Sequence, residues 1–373
     1  MKTINRYKGI IFSSAIVAGI LISGCKKEFL EVNPTDQTSS SEVFSSEAKI
    51  DAAMTGIYNL TTFSGYTNNM LLSVDVKGGD VMIVSGAGNY NWYTSQYQFV
   101  ETVNTTEPEE YWSYAYKIIA NANQFVANIP GSPIADTKKA SYLAEARAKR
   151  AEAYFWLIRW YAKPYSVDPE ALGVPIIREP LGPTDAPPGR DKVKDVYAFI
   201  LEDLKYAEEN LGEGTTIYRM NEQAVQGYLA RIYLTMGNWP EASKYAKLAR
   251  EGNQLSSGEE LLEGFNNPTS EWIYAINVRT DDNQGFRSVA SFFDPYDIGY
   301  SSFRATDEFF NSFSDDDIRK EQFLVKSDPD ADPSTAEYRR RGPQGWLINK
   351  FDFTSTPANN QVMIRSSEMY LIE

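Results

Sequence analysis

The sequence predicts a mostly α-helical chain: antiparallel helical hairpins stacked into a superhelical scaffold, with long irregular loops and a few short strands. Three observations predict it. Apolar residues recur at helical spacing over several segments. Helix-start and helix-stop residues bound those segments. Between them lie two stretches rich in Gly, Asn and aromatic residues that show no such period.

Ile50, Ala53, Met54, Ile57 and Tyr58 give the first helix, after Ser45-Ser46, which can cap. A loop-rich stretch of residues 64–104 follows. Thr106-Glu107-Pro108-Glu109 reads as a capping box with Pro in the first turn. It opens a helix carrying Tyr111, Ala115, Ile118, Ala122, Phe125 and Ile129, which Pro130-Gly131 stops. A third helix runs over 136–161, with charges interleaved among Ala and aromatic residues. Residues 163–190 hold seven prolines and form an irregular connection. Val193, Tyr197, Ile200, Leu204, Ala207 and Leu211 mark a fourth helix. Asn221 opens a fifth, which Gly237-Asn238 closes, and Pro240 starts a sixth. Trp272, Tyr274, Ile276 and Val278 then alternate like a strand. A second aromatic loop, 279–305, carries Phe286, Phe292, Phe293, Tyr296, Tyr300 and Phe303.

Composition narrows the function. The 373 residues include no His and one Cys, which removes Ser-His-Asp and Cys-His catalysis, His-ligated zinc and any intramolecular disulfide. The formal net charge is −14. The only charges before Cys25 are Lys2, Arg6 and Lys8, so the remainder is more acidic still and repels phosphate backbones. Nucleic acid is not an expected partner.

Residues 1–24 read as a secretory signal: the basic start is followed by an apolar run, Gly9 to Ile22, too short to span a bilayer. Ile22-Ser23-Gly24-Cys25 resembles a bacterial lipobox, so Cys25 is the expected lipidation site and membrane anchor. Lys26 follows it where inner-membrane retention would favour Asp, which points to the outer membrane. Residues 25–45 then read as a lipid-anchored tether and 46–373 as the helical domain.

Gly227-Tyr228-Leu229-Ala230-Arg231-Ile232-Tyr233-Leu234, Gly237-Asn238-Trp239, Ala242 and Ala246 resemble a tetratricopeptide unit. One unit cannot bury its own face. The helices at 107–129 with 136–161, and at 191–211 with 221–236, are the expected neighbours. The chain as a whole resembles the SusD/RagB family of outer-membrane nutrient-binding lipoproteins. The resemblance is carried in order by Phe29-Leu30-Glu31, Gly56-Ile57-Tyr58, Tyr111-Trp112 with Asn121-Ala122-Asn123, Ala144-Glu145-Ala146 with Arg150-Ala151 and Tyr154-Phe155, Leu172-Gly173-Val174-Pro175, Val196-Tyr197 with Asp203-Leu204, Ala230 to Leu234, and Ser270 to Ile273. It departs at Ala162-Lys163, where the family turns on Gly before Pro164. Arg365, Glu368, Tyr370 and Leu371 look like the start of the family's late helical repeat, so the chain reads as truncated at its C-terminus.

The resemblance implies a cell-surface protein that captures oligosaccharide and passes it to a SusC-like TonB-dependent transporter barrel as its lid. Aromatic side chains suit this task, because sugar rings present apolar C–H faces and Trp and Tyr offer flat surfaces with a polar edge. The candidate glycan-binding residues are Asn89, Tyr90, Asn91, Trp92 and Tyr93 in the first loop, with Arg287 and Tyr296 in the second. Trp112, Trp156, Trp160 and Trp239 stand at helical spacings and read as packing residues. Asp328 to Asp332 begins like a calcium loop. It has Pro333 where Gly is needed and Arg339 where a bidentate Glu is needed, so no metal is expected. No cofactor and no catalytic residue is expected either. Two other classes stay open, a helical-repeat protein scaffold without glycan binding and a carbohydrate-active enzyme.

Overall fold

The segments with helical spacing are helical in the computed structural model, which describes residues 40–84, 89–182, 184–212, 214, 216–294, 299–324, 346–348, 350–353 and 359–373. Cys25, Tyr296 and the 328–332 acidic run lie outside the described residues. The chain divides after Val43 into two units, the first of which contributes the short helix Ser40–Val43. In the second, α1 spans Glu47–Thr62, α2 Thr67–Asp75, α3 Thr106–Asn128, α4 Asp136–Tyr161, α5 Val193–Asn210, α6 Glu222–Met236, α7 Trp239–Arg250 and α8 Ser366–Ile372. Among the described residues, no helix is long and apolar enough to cross a membrane.

Local signals set several of the boundaries. The Asn221 side chain accepts from the Ala224 N–H, and Asn238 caps α7 through the Glu241 N–H. Gly237 ends α6 in the left-handed region, at φ 76°, where a residue with a Cβ would be strained. The expected capping box at Thr106 does not form: the helix already includes Thr106, and Thr105 precedes it without a side-chain cap. Ser46 likewise precedes α1 without one.

Helix α4 is the hub. It packs on α3 and α5 and also touches α1 and α6. Its residues from Ala144 to Ile158 are buried, apart from a few such as Arg147 and Trp156, so it has almost no solvent face. This is why its apolar pattern is weak: neighbours surround it, and its charges are satisfied inside. Arg150 forks onto Asp203 of α5 through Nε to Oδ2 at 2.7 Å and Nη2 to Oδ1 at 2.9 Å, and Arg147 adds Nε to Oδ1 at 2.7 Å. The third Arg150 direction reaches Asn123 Oδ1 of α3 at 2.6 Å. Lys149 pairs with Glu152 one turn along, and its ammonium also donates to the Tyr274 hydroxyl at 2.9 Å. Glu152 accepts from Tyr228 of α6 at 2.5 Å. Arg219 clasps Glu145 at 2.7 and 2.8 Å, and Tyr58 of α1 donates to the same carboxylate at 2.6 Å. Burial pushes the Tyr58, Tyr228 and Tyr274 phenols well above their ordinary range, so they stay neutral donors.

These bonds correct the expected pairing. α6 pairs with α7 as the tetratricopeptide-like unit expected; the correction concerns α5, which packs chiefly on α4 with α6 a lesser neighbour. α8 lies against α7 and α6, where Arg231 forks onto Glu368. Trp239 is also a correction: it is 65% exposed and packs no core.

The strands pair antiparallel in twos: β1 (Val81–Ile83) with β3 (Phe303–Ala305), β2 (Trp272–Ile276) with β6 (Gln361–Arg365), and β4 (Phe323–Leu324) with β5 (Leu347–Ile348). Every residue of β2 is buried, so its alternating sequence does not mark a wet face. The pairing of β1 with β3 closes a long separation in sequence and brings the two aromatic loops together.

Asp203→Ala is expected to lower stability by about 3–5 kcal/mol, because it strands two arginines in or beside a dry core. Glu202→Ala, next to it but half exposed and paired with the same Arg147, is expected to cost about 0–1 kcal/mol. Urea unfolding of both variants measures this, and equal losses would contradict the assignment.

Candidate functional site

The 64–104 stretch is more ordered than its composition implies. It contains α2, β1 and a single turn, Thr94–Tyr97. Helix α2 is hard to read because two of its buried residues are the amides Asn68 and Asn69. Both act as struts. Asn68 donates through Nδ2 to the Arg287 carbonyl and accepts from Gln361 at 2.9 Å. Asn69 donates to Glu110 Oε2 at 3.0 Å and accepts from the Tyr93 hydroxyl at 3.0 Å. A buried amide so fully used fixes its neighbours.

These struts hold a strained turn. Tyr90, Asn91 and Tyr93 have φ of 53°, 63° and 61°, Phe99 has 55°, and Ser301 in the second loop has 43°. Such residues cost about 1–3 kcal/mol each and persist only where their surroundings over-determine them. Asn89 supplies part of that. It is buried, accepts from the Asn91 N–H at 3.0 Å, and donates to the Trp92 carbonyl at 3.2 Å and to Ser302 Oγ at 3.3 Å. Tyr93 supplies the rest. Its ring is fully buried, edge-on to Phe292 at 5.3 Å and Phe303 at 6.0 Å. Burial pushes its phenol well above the ordinary value, against the pull of Arg287. Asn89 and Tyr93, expected at the ligand, are thus buried in the turn they build.

Three of the expected residues do reach the surface or its edge. Tyr90 is 83% exposed, Asn91 is exposed, and Trp92 is half-buried. Arg287 joins them from the second loop, with its guanidinium 4.3 Å from the Trp92 ring centre. Arg287 Nη2 donates to Glu110 Oε2 at 2.8 Å. Burial works against the Glu110 charge, but the bonds from Arg287 and Asn69 outweigh it and hold the carboxyl below its usual range. The Arg287 charge is likewise opposed by burial and favoured by Glu110, ending above its usual value.

The sequence reading missed the residues beside Tyr90. Tyr300 lies edge-on to Tyr90 at 6.1 Å, Phe286 is 5.9 Å from Tyr300, and Phe353 is 5.6 Å from Phe286. Phe286 is 47% exposed. Together Tyr90, Tyr300, Phe286 and Phe353 make a continuous aromatic ridge with polar Asn91 at one end. The ridge is anchored from below. Ser291 Oγ and its carbonyl accept from the N–H groups of Tyr300 and Ser301 at 3.1 and 2.8 Å, and a Cβ at Gly299 would fall 2.7 Å from that carbonyl. The Phe353 N–H donates to buried Asp294 at 2.7 Å. Phe286 and Tyr300 belong to a loop whose aromatic content was legible; Phe353 carries no local signal and is placed by tertiary contacts alone. Among the described residues, no cluster of acidic, His or Cys side chains is arranged to hold a metal ion.

The model of a family described as SusD-like, starch-binding and associating with the outer membrane matches residues 28–234. A SusD-like protein of Bacteroides ovatus is 25% identical over 279 residues, 69% of this chain and 47% of that protein. SusD-like protein P2 of Formosa agariphila is 26% identical over 62% of this chain and 44% of its own length. The chain thus spans about half the length of these curated relatives. A crystal structure of a SusD superfamily protein from Bacteroides vulgatus superposes with a TM-score of 0.77 at 26% identity, covering 88% of this chain and 74% of the other. A laminarin-binding SusD-like protein has the same fold at a TM-score of 0.71 and 20% identity, covering 88% of this chain and 79% of that one. With over half its length matched by the family model, and with the mostly helical fold of these structures, the chain belongs to the SusD-like family.

Proposed function

We propose that the protein is a non-enzymatic glycan receptor of the outer membrane. It captures oligosaccharide on the ridge formed by Tyr90, Tyr300, Phe286 and Phe353 and passes it to a SusC-like TonB-dependent transporter. The observation that carries this reading is a run of contacting rings from segments far apart in sequence, in which Tyr90 and Phe286 are exposed and Tyr300 and Phe353 are partly buried beside them. Monomeric proteins rarely leave a contiguous apolar patch exposed without a use for it. Here Tyr90 itself, and Ser301 next to Tyr300, hold left-handed backbone, an arrangement found where geometry serves function. Stacked rings contact the C–H faces of a sugar, and the Asn91 amide beside them reaches its hydroxyls. Trp92 and Arg287 form the floor: the Trp92 ring is covered on one face by the guanidinium. The family's starch-binding description supports carbohydrate as the ligand class.

The reading also includes the anchor. Cys25 becomes the lipidated first residue, residues 26–45 act as a tether, and the helical domain stands at the cell surface. Cys25→Ala is expected to abolish acyl labelling and release the protein from the outer-membrane fraction; a variant that stays labelled and membrane-bound would refute the anchor.

Calorimetric titration with a panel that begins with starch and laminarin fragments tests the ligand site. Tyr90→Ala is expected to weaken binding of the tightest oligosaccharide about ten-fold or more, a loss of about 1.4 kcal/mol, with the melting temperature nearly unchanged because the ring is exposed. Tyr93→Ala is expected to behave in the opposite way in melts. It opens a cavity and leaves the Asn69 side-chain oxygen without its donor, costing about 3–5 kcal/mol of stability. Unchanged affinity in Tyr90→Ala and Phe286→Ala alike would remove the ridge from the binding site.

A further inference from the structure

An open cavity of about 650 Å³ lies between the C-terminal half of α1, the turn at 216–219 and the chain that follows β2. The ridge does not use it, although one segment serves both: Asp282 lines the cavity, while Phe286 lies on the ridge. Gln284, between them, ties that segment to α1 by donating to the Thr62 carbonyl at 2.6 Å. The volume lies within the range of small-ligand sites, about 300–1,000 Å³.

The chemistry of the walls selects among ligands. The charged side chains are already engaged. Arg219 holds Glu145 and Asp51, Arg279 holds Asp281 at 2.8 and 2.9 Å, and Asp282 accepts from Thr62 at 3.2 Å. Arg219, partly buried between two carboxylates, makes the pairs an ionic ligand would have to disturb most, while the exposed Arg279–Asp281 pair already neutralises its own charge. The remaining capacity is neutral. Asn59 uses its carbonyl oxygen on Thr62, and its Nδ2 makes no hydrogen bond among the described residues. The Asn277 amide and the Tyr218 hydroxyl likewise make no hydrogen bond among the described residues, so three lining residues keep neutral donors or acceptors free for a ligand. Paired donors and acceptors without net charge, beside a tyrosine ring, match an uncharged, hydroxyl-rich molecule.

We propose that this cavity is a second carbohydrate subsite, which holds one or two neutral sugar units through Asn59, Asn277 and Tyr218. It stands on the cavity's own chemistry and does not require the ridge to be correct. Threonine methyl NMR separates the two, because Thr55, Thr62 and Thr216 line the cavity. The probes are glucose, galactose, mannose, xylose, maltose and laminaribiose. At least one is expected to shift the Thr62 and Thr216 methyl resonances saturably, in the millimolar range that so few sugar units allow. Asn277→Leu is expected to weaken that response about ten-fold, roughly one or two lost hydrogen bonds. Tyr218→Phe, which keeps the ring and the fold, is expected to weaken it less, and Tyr90→Ala is expected to leave it unchanged. No methyl shift with any probe would overturn the proposal. So would a response that survives Asn277→Leu and Tyr218→Phe, or one that Tyr90→Ala abolishes. Failure of the ridge would show separately, as unaltered oligosaccharide titration in Tyr90→Ala.

Discussion

Asp203 accepts hydrogen bonds from Arg147 and Arg150 where solvent is absent, and the architecture turns on that contact and the pairs beside it. A helix bearing Glu145, Arg147, Lys149, Arg150 and Glu152 within two turns would ordinarily lie on a surface. Here α4 lies inside, with its charges met from several neighbours: Asp203 on α5, shared by two arginines, Asn123 on α3, Tyr228 on α6, Tyr274 on β2, and Arg219 ahead of α6. Such pairs add little net stability over apolar packing, since desolvation offsets most of the attraction. What they supply is discrimination. A rotation or slip of α4 would leave several charges buried without partners, whereas an apolar interface would tolerate it.

The same logic extends outward to the loops. Asn68 and Asn69 are buried on α2 as the charges are on α4, and they tie three remote points together: the Arg287 carbonyl, the Glu110 carboxylate and the Tyr93 hydroxyl. Asn89 and Tyr93 then hold the left-handed turn that lifts Tyr90 into solvent. The chain thus runs from a rigid helical hub, through amide struts, to a ridge in which partly buried Tyr300 and Phe353 support exposed Tyr90 and Phe286. A preformed surface spares a ligand the ordering cost that a mobile loop would impose.

The helices from α3 to α7 were legible in the sequence because most of their apolar faces follow a helical period and their ends carry recognisable signals, Asn221 as a start and Gly237 and Pro130 as stops. Helix α2 was not, since its buried side chains include amides that read as loop. The strong pairing of α5 with α4 was hidden as well, because it rests on Arg147 and Arg150 meeting Asp203, and charges spaced along a helix normally signal a wet face. At the site, Tyr90, Trp92 and Arg287 were legible as loop residues of suitable chemistry. Whether a loop aromatic points outward, like Tyr90, or inward, like Tyr93, depends on backbone angles that no local pattern encodes. Phe353 was invisible for a different reason: its place depends on Asp294, 59 residues away.

Buried polar pairs hold the aromatic ridge in place before any ligand arrives, and its proposed role is to stack oligosaccharide. A crystal structure of the protein with a bound oligosaccharide long enough to cross the ridge is the decisive measurement. A sugar ring is expected over the faces of Tyr90, Tyr300 or Phe286, with Asn89, Tyr93 and the 90–93 backbone where they stand without ligand. A sugar bound elsewhere with the ridge bare, or a ridge that exists only after the 90–93 turn rearranges, would contradict it.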